Sequence, residues 1–309
     1  MSDAAGGRPI AVEPKSGRHE SLEDAVRASG GRVVDIADAE ALVWADPHAP
    51  HDLPDVLAQG EKVEWVGLPF SGIEPYLPYL DRERVWTCAR GVYARPVAEH
   101  ALACGLAGLR GLVGYSRART WADPVGHNLI DGHVVVFGAG GITTELLPML
   151  DGLGCTTTVV RRRADPMPGA ARTVAMADRL DVLGDADLVI LALALTPDNR
   201  GFFGAAELEA MAPHAWLVNV ARGGHIDDDA LLAALDRGAI GGACLDVTEP
   251  EPLPDDHPYW TRPDVLITPH IANTPEMGVP LLAAHVRDNV ARFVGGRTLD
   301  GIIDVDAGY

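Results

Sequence analysis

The stretch "HVVVFGAGGITTELLPMLDGLGCTTTVVRRR", residues 133–163, decides how this chain is read. An apolar run, His133 to Phe137, meets Gly138-Ala139-Gly140 and passes into a helix-prone segment, Ile142 to Leu150. Strand, glycine turn and helix in this order form the first half of the G-x-G-x-x-G pattern. Its first glycine allows a tight turn, and its second lets the backbone approach a pyrophosphate at the helix N-terminus. The third packs helix against strand, and here Thr143 replaces it. That change is expected to touch packing more than phosphate binding. A turn without a ligand is the plain alternative.

The second departure lies at Arg161, 23 residues past Gly138, with Arg162 and Arg163 behind it. A carboxylate there would hold a ribose 2′-hydroxyl and repel a 2′-phosphate. A guanidinium reverses the preference, because its planar fork pairs with phosphate oxygens. The triplet therefore points to NADP(H) ahead of NAD(H), with a solvated basic edge as the alternative.

The chain has 309 residues, of which 47% are hydrophobic, enough for two domains with their own cores. Basic residues number 25 against 44 acidic, a net of −19, which argues against nucleic-acid or membrane-surface binding. "MSDAAGGRPI" lacks a signal-like apolar core, and the longest apolar run, 188–195, is too short to span a bilayer. Cys88, Cys104, Cys155 and Cys244 lie far apart without metal-ligand spacing. They read as thiols in a reducing cytoplasm, and no metal is expected.

Two zones alternate strands and helices. Short apolar runs at 10–14, 42–46, 63–68 and 85–89 make up the first. A continuous helical pattern at 95–117 follows, with Pro96 suited to a first turn. In the second zone, strands are expected at 133–137, 155–160, 187–193, 215–219, 241–246 and 265–268. Helices are expected at 142–151, 205–211 and 227–237, and a last one at about 278–293. Apolar runs without alternation suit parallel strands covered on both faces, so a doubly wound α/β sheet is expected.

Polar residues follow several of these strands: Arg222 in a glycine-flanked turn, Asp246 at a strand end, Glu251 in a proline-rich loop, and His270. An arginine beyond a parallel strand's carboxyl end suits a substrate carboxylate. A buried histidine beside a carboxylate gains proton affinity and can serve as a general acid or base. Singly, each has a plain alternative as a surface cation, a solvated loop carboxylate or a hydrogen-bonded loop histidine.

The chain resembles the D-isomer-specific 2-hydroxyacid dehydrogenases over essentially its whole length. The resemblance rests on "VAEHALA" (97–103), "GAGGI" (138–142), "ADLVILALALTPDNRGF" (186–202), "NVARGGHIDDDAL" (219–231), "GACLDVTEPEPLP" (242–254) and "ITPHIANT" (267–274). It implies that Arg222 orients the substrate carboxylate and carbonyl, His270 exchanges a proton with the C2 oxygen, and Glu251 pairs with His270. It implies that Asp246 contacts the nicotinamide carboxamide. Gly138, Gly140, Gly141, Ile142, Arg161, Arg162, Leu193, Ala194, Thr196, Val220, Ala221 and His270 would complete the cofactor site. "LPFSGIE" (68–74) resembles a loop whose amides hold the substrate carboxylate, through Phe70, Ser71 and Gly72.

The implied fold is two Rossmann-like domains. A cofactor domain, 96–286, is inserted into a split substrate domain, 1–95 plus 287–309. Implied too are a helix at 96–115 crossing between the domains and a homodimer, to which the small residues of "ALACGLAGLRGL" could contribute. Thr143, Arg161, Ala194 (proline in many members) and Asn273 depart from the family pattern, and none removes a catalytic group. The function expected is reduction of a small 2-oxo acid to the D-2-hydroxy acid, or the reverse. A dinucleotide-sensing corepressor-like protein and a formate-type dehydrogenase are the alternatives.

Overall fold

A computed structural model describes residues 7–15 and 17–306. The chain forms two compact units. One runs to Tyr93 and resumes at Thr274, and the other is Ala94–Asn273.

In the first unit, β1 (Pro9–Glu13), β2 (Arg32–Val33), β3 (Ala41–Trp44), β4 (Trp65–Leu68) and β5 (Val85–Cys88) form a parallel sheet ordered β2-β1-β3-β4-β5. Helices α1 (His19–Ala28) and α2 (Leu53–Leu57) connect its early strands. The second unit opens with α3 (Ala94–Leu109) and α4 (Leu112–Tyr115). It continues through β6 (His133–Phe137), α5 (Gly141–Asp151), β7 (Thr156–Arg161), β8 (Arg172–Ala175) and β9 (Leu188–Leu191). Then come α6 (Ala205–Ala210), β10 (Trp216–Asn219), α7 (Asp228–Asp236), β11 (Gly242–Leu245) and β12 (Val265–Ile267). These seven strands are parallel in the order β12-β11-β10-β9-β6-β7-β8. The chain winds outward from β6 and then outward again from β9, so the loops after these two strands flank the switch point.

Both faces of the seven-stranded sheet are covered, which explains strands of unbroken apolar character. Val135, Phe137, Val189, Leu191 and Leu217 face one core, and Val134, Val136, Leu188, Ile190 and Val218 face the other. The first unit has two cores of its own, one of which takes in the last helix, α8 (Pro275–Val294), through Leu282, Val286, Val290 and Phe293. The return to the first unit thus falls at Thr274, before this helix rather than inside it at 287. Thr274 caps α8, its side chain accepting from the Met277 amide.

The helix expected at 96–115 is broken. Gly111 (φ +68) takes a left-handed conformation that ends α3 and leaves only one further turn as α4. The small residues of α3 are used inside the chain. A Cβ on Gly105 would stand 2.5 Å from Leu188 Cδ2, and one on Gly108 would stand 2.2 Å from the Trp216 ring. In α4 Leu112 is exposed, and in the segment after it Trp121 and Val125 face solvent. Among the described residues no helix is long and apolar enough to cross a membrane.

Candidate active site

Gly138 (φ +108) turns the chain out of β6, and a Cβ there would stand 2.3 Å from the Ala192 carbonyl oxygen. Glycine is therefore required by both conformation and space. Gly140 is the N-cap of α5 and provides no side-chain cap, and a Cβ on it would meet nothing within 4 Å. The first-turn amides, at Gly141 and Ile142, are thus approachable and without a capping side chain, which fits a dinucleotide pyrophosphate. Thr143 is fully buried, and its hydroxyl donates to the Gly138 carbonyl at 2.9 Å. A side chain fits where the third glycine is expected because that bond removes the cost of an unpaired buried hydroxyl.

Arg161 closes β7, half-buried, and donates from Nη1 to the Asp165 carbonyl at 3.3 Å. Arg162 and Arg163 are exposed, and Arg163 pairs with Asp165 at 3.1 Å. After β9, Asn199 shapes the loop holding Leu193, Ala194 and Thr196. Its Oδ1 accepts from the Thr196 amide at 2.7 Å and its Nδ2 donates to the Ala194 carbonyl at 2.8 Å.

Buried Asn219 ends β10 and fixes the next turn. Its Oδ1 accepts from the Ala221 amide at 3.0 Å, and its Nδ2 donates to the Arg222 carbonyl at 2.8 Å. Val220 and Ala221 are buried, while Arg222 is extended and half-buried, with Nη1 donating to the Ala221 carbonyl at 2.7 Å.

Glu251 and His270, on the loops after β11 and β12, meet with Oε1 2.6 Å from Nδ1. With Nδ1 engaged, Nε2 is the nitrogen free to face a reacting oxygen. Their side chains are 44% and 51% exposed, so the histidine is not buried as expected. The reason is its place just past the sheet's edge strand.

Asp246 is 2% exposed and holds the histidine loop. Its carbonyl accepts from the His270 amide at 2.8 Å. Its Oδ1 accepts from Thr268 Oγ1 at 2.6 Å and the Ile271 amide at 2.9 Å, and its Oδ2 from the Ala272 amide at 3.1 Å. Both oxygens thus accept bonds from the histidine loop. His100 on α3 lies beneath, its Nε2 3.4 Å from Asp246 Oδ1 and 3.5 Å from Cys104 Sγ. Its bonds to Asp246 and to Cys104 push its pKa up to about 10. Burial alone would raise the Asp246 carboxyl, but the bonds from His100, Thr268 and Ile271 outweigh it and hold it below the usual range.

Phe70, Ser71 and Gly72 follow β4 in the other unit. The Phe70 carbonyl accepts from the Ala89 amide at 3.2 Å, its ring meets Tyr93 edge-on at 5.6 Å, and Ser71 is exposed. Among the described residues no group of three or more His, Cys, Asp or Glu side chains could hold a metal ion.

A family profile described as "D-isomer specific 2-hydroxyacid dehydrogenase, NAD binding domain" matches residues 105–272. The chain belongs to that family. It is an NAD(P)-dependent 2-hydroxyacid dehydrogenase or reductase, and Gly138, Gly140 and the open start of α5 fit the dinucleotide.

It is 37% identical to an uncharacterized protein of the proB 3′ region of Corynebacterium melassecola, over 92% of this chain and 95% of that one. It is 30% identical to glyoxylate/hydroxypyruvate reductase A of Serratia proteamaculans, over 87% of each chain. An NADPH-dependent glyoxylate/hydroxypyruvate reductase of Sinorhizobium meliloti, solved with NADP and sulfate, superposes with a TM-score of 0.81. That structure is 27% identical and covers 98% of this chain and 100% of its own. The corepressor-like and formate-type readings find no support in these relatives.

Sequence reading passed over His100, Asn219 and Thr268. His100 was visible as a polar residue four positions before Cys104, the spacing that shares one helix face.

Proposed function

We propose that this enzyme reduces a small 2-oxo acid to the D-2-hydroxy acid with NADPH as its preferred electron donor, and that it works as a homodimer. The observation that carries the reading is the 2.6 Å contact of His270 Nδ1 with Glu251. The pair follows β11 and β12, Arg222 follows β10, and the glycine turn that fits the cofactor follows β6 in the same parallel sheet. The Sinorhizobium reductase's complex with NADP supports the cofactor preference.

In the mechanism, Arg222 pairs with the substrate carboxylate and polarises the C2 carbonyl as negative charge develops on its oxygen. Reduced nicotinamide, when bound, supplies the hydride that adds to C2. His270 delivers a proton from Nε2 to the C2 oxygen, and Glu251, bonded to Nδ1, fixes the ring's direction. In oxidation His270 takes the same proton back. Arg161, with Arg162, pairs with the 2′-phosphate. Phe70, Ser71 and Gly72 are assigned to the substrate by family resemblance.

The dimer reading is drawn from the family resemblance, and the exposed Trp121 and Val125 after α4 offer apolar side chains that a second copy could cover. Cytoplasmic residence is proposed as well, supported by four free cysteines.

The test is NADPH oxidation with a panel of 2-oxo acids that includes glyoxylate and hydroxypyruvate. Turnover of at least one, with the D-hydroxy acid as product, is expected. Absence of turnover across the panel would overturn the reading.

A further inference from the structure

His225 is fully buried and ends the short turn Gly223–His225 that leaves Arg222. Both its ring nitrogens face carbonyl oxygens of the loop after β9. Nε2 lies 3.1 Å from the Leu193 oxygen and Nδ1 lies 3.4 Å from the Asn199 oxygen. A neutral imidazole carries one N–H, so it donates to one of these acceptors at a time, and the shorter contact is to Leu193. Burial, helped by the nearby Arg222 and Arg200, outweighs the two carbonyl contacts and lowers its proton affinity.

The backbone continues the tie. The Gly201 amide donates to the Gly224 carbonyl at 2.8 Å, and the Phe203 amide to the His225 carbonyl at 3.0 Å. The turn has no slack on its other side. A Cβ on Gly223 would overlap the Thr248 backbone at 2.0 Å, and one on Gly224 would stand 2.3 Å from Glu249 Oε2. Glu249 in turn bonds Arg200 at 2.6 Å.

A hydrogen-bonded core histidine is the ordinary explanation of such a ring. Here, however, both contacts go to one loop, and Asn199 is the residue that pins Ala194 and Thr196 at the switch point. A shift of that loop therefore moves the Arg222 turn. We propose that His225 is a positioning residue that couples the cofactor-side loop, residues 193–199, to the turn carrying Arg222, so that a bound dinucleotide sets the substrate-binding arginine. The inference rests on the proposed roles of that loop and of Arg222.

The coupling can be read without turnover. NADPH affinity is titrated by fluorescence with and without saturating oxamate, a 2-oxo acid analogue, in parent, His225→Phe and His225→Asn. Phenylalanine keeps an aromatic ring, somewhat larger than imidazole, for the edge-on contact with Phe202, at 5.7 Å, but removes both nitrogens. The parent should show oxamate tightening NADPH by about fivefold or more. His225→Phe should bring that factor to about one, while His225→Asn, which keeps an N–H donor, should retain part of it. A role in packing alone would lower the melting temperature and leave the factor unchanged. A parent without coupling, or an undiminished factor in His225→Phe, would overturn the proposal. Should His225→Phe fail to fold, amide hydrogen exchange of the parent decides. NADPH should protect 222–226 along with 193–199, and protection of 193–199 alone would also overturn it. Parent turnover is scored separately, so a silent substrate panel would defeat the proposed function and leave the coupling result to stand alone.

Discussion

Asp246 fastens the backbone of His270. The histidine sits in a left-handed conformation (φ +52), which costs a non-glycine residue on the order of 1–3 kcal/mol. The Asp246 carbonyl takes the His270 amide, and its carboxylate takes the amides of Ile271 and Ala272. An ionised acceptor of this kind contributes about 1.5–3 kcal/mol per bond. Asp246→Asn turns one acceptor into a donor facing these N–H groups. Urea unfolding should show a loss of about 2–4 kcal/mol, and kcat should drop. Parent-like stability would show that the loop holds its shape without the carboxylate.

His270→Gln should lower kcat by about two to four orders of magnitude, the worth of general acid/base catalysis, with NADPH affinity near the parent's. Glu251→Gln should cost less, because the ring keeps a polar neighbour but loses a charged one. A parent rate in His270→Gln would reject the assigned proton donor.

The strands of the seven-stranded sheet were legible because burial on both faces leaves unbroken apolar runs, as at Leu188–Leu191. β8 was not: Arg172–Ala175 is a four-residue edge strand after a proline- and glycine-rich loop, with only Val174 buried and nothing periodic to find. Arg222, Glu251 and His270 were legible as polar residues beyond strand ends. That His270 stands half-exposed was not, since exposure depends on how neighbouring loops fold. Nor were the bonds of Asp246 to its own loop, which depend on where Thr268, Ile271 and Ala272 come to lie.

Stability should decline on mild acidification through His285. Burial outweighs Asp300 and Asp288 and lowers this imidazole's proton affinity in the folded chain. Above about pH 6.5, the ordinary histidine value, both states are neutral and nothing is lost. Below it the unfolded chain takes up the proton while the folded chain resists until its own lower value is reached, so stability is lost as pH falls. One such group contributes at most about 1.4 kcal/mol per pH unit. His285→Gln should flatten the fall in urea midpoint between pH 7.5 and 5.5. Parallel curves for parent and variant would assign the acid loss to other groups, among them His225, also lowered by burial.

Sedimentation should give a species of twice 32.7 kDa at micromolar concentration. Trp121→Asp places a charge on the exposed segment after α4 and should shift the equilibrium toward monomer with little change in melting temperature. A parent sedimenting at 32.7 kDa would end the dimer proposal.

Arg161 offers the most direct reading of cofactor choice. It closes β7 half-buried, and its guanidinium donates to the Asp165 carbonyl at 3.3 Å, the long end of the hydrogen-bond range, so a ligand phosphate can compete for it. A charge-assisted pair with the 2′-phosphate is worth about 1.5–3 kcal/mol, a contact that NADH cannot make. That corresponds to roughly a ten- to hundredfold preference for NADPH. Arg162, exposed beside it, can share the contact, whereas Arg163 is engaged with Asp165. Arg161→Asp replaces the attraction with repulsion and should weaken NADPH sharply while leaving NADH nearly unchanged. The difference should shrink as salt rises, because the site lies at an exposed strand end. Fluorescence titration of both reduced cofactors at low and moderate salt checks this. Equal affinities in the parent would leave the arginines as a solvated basic edge.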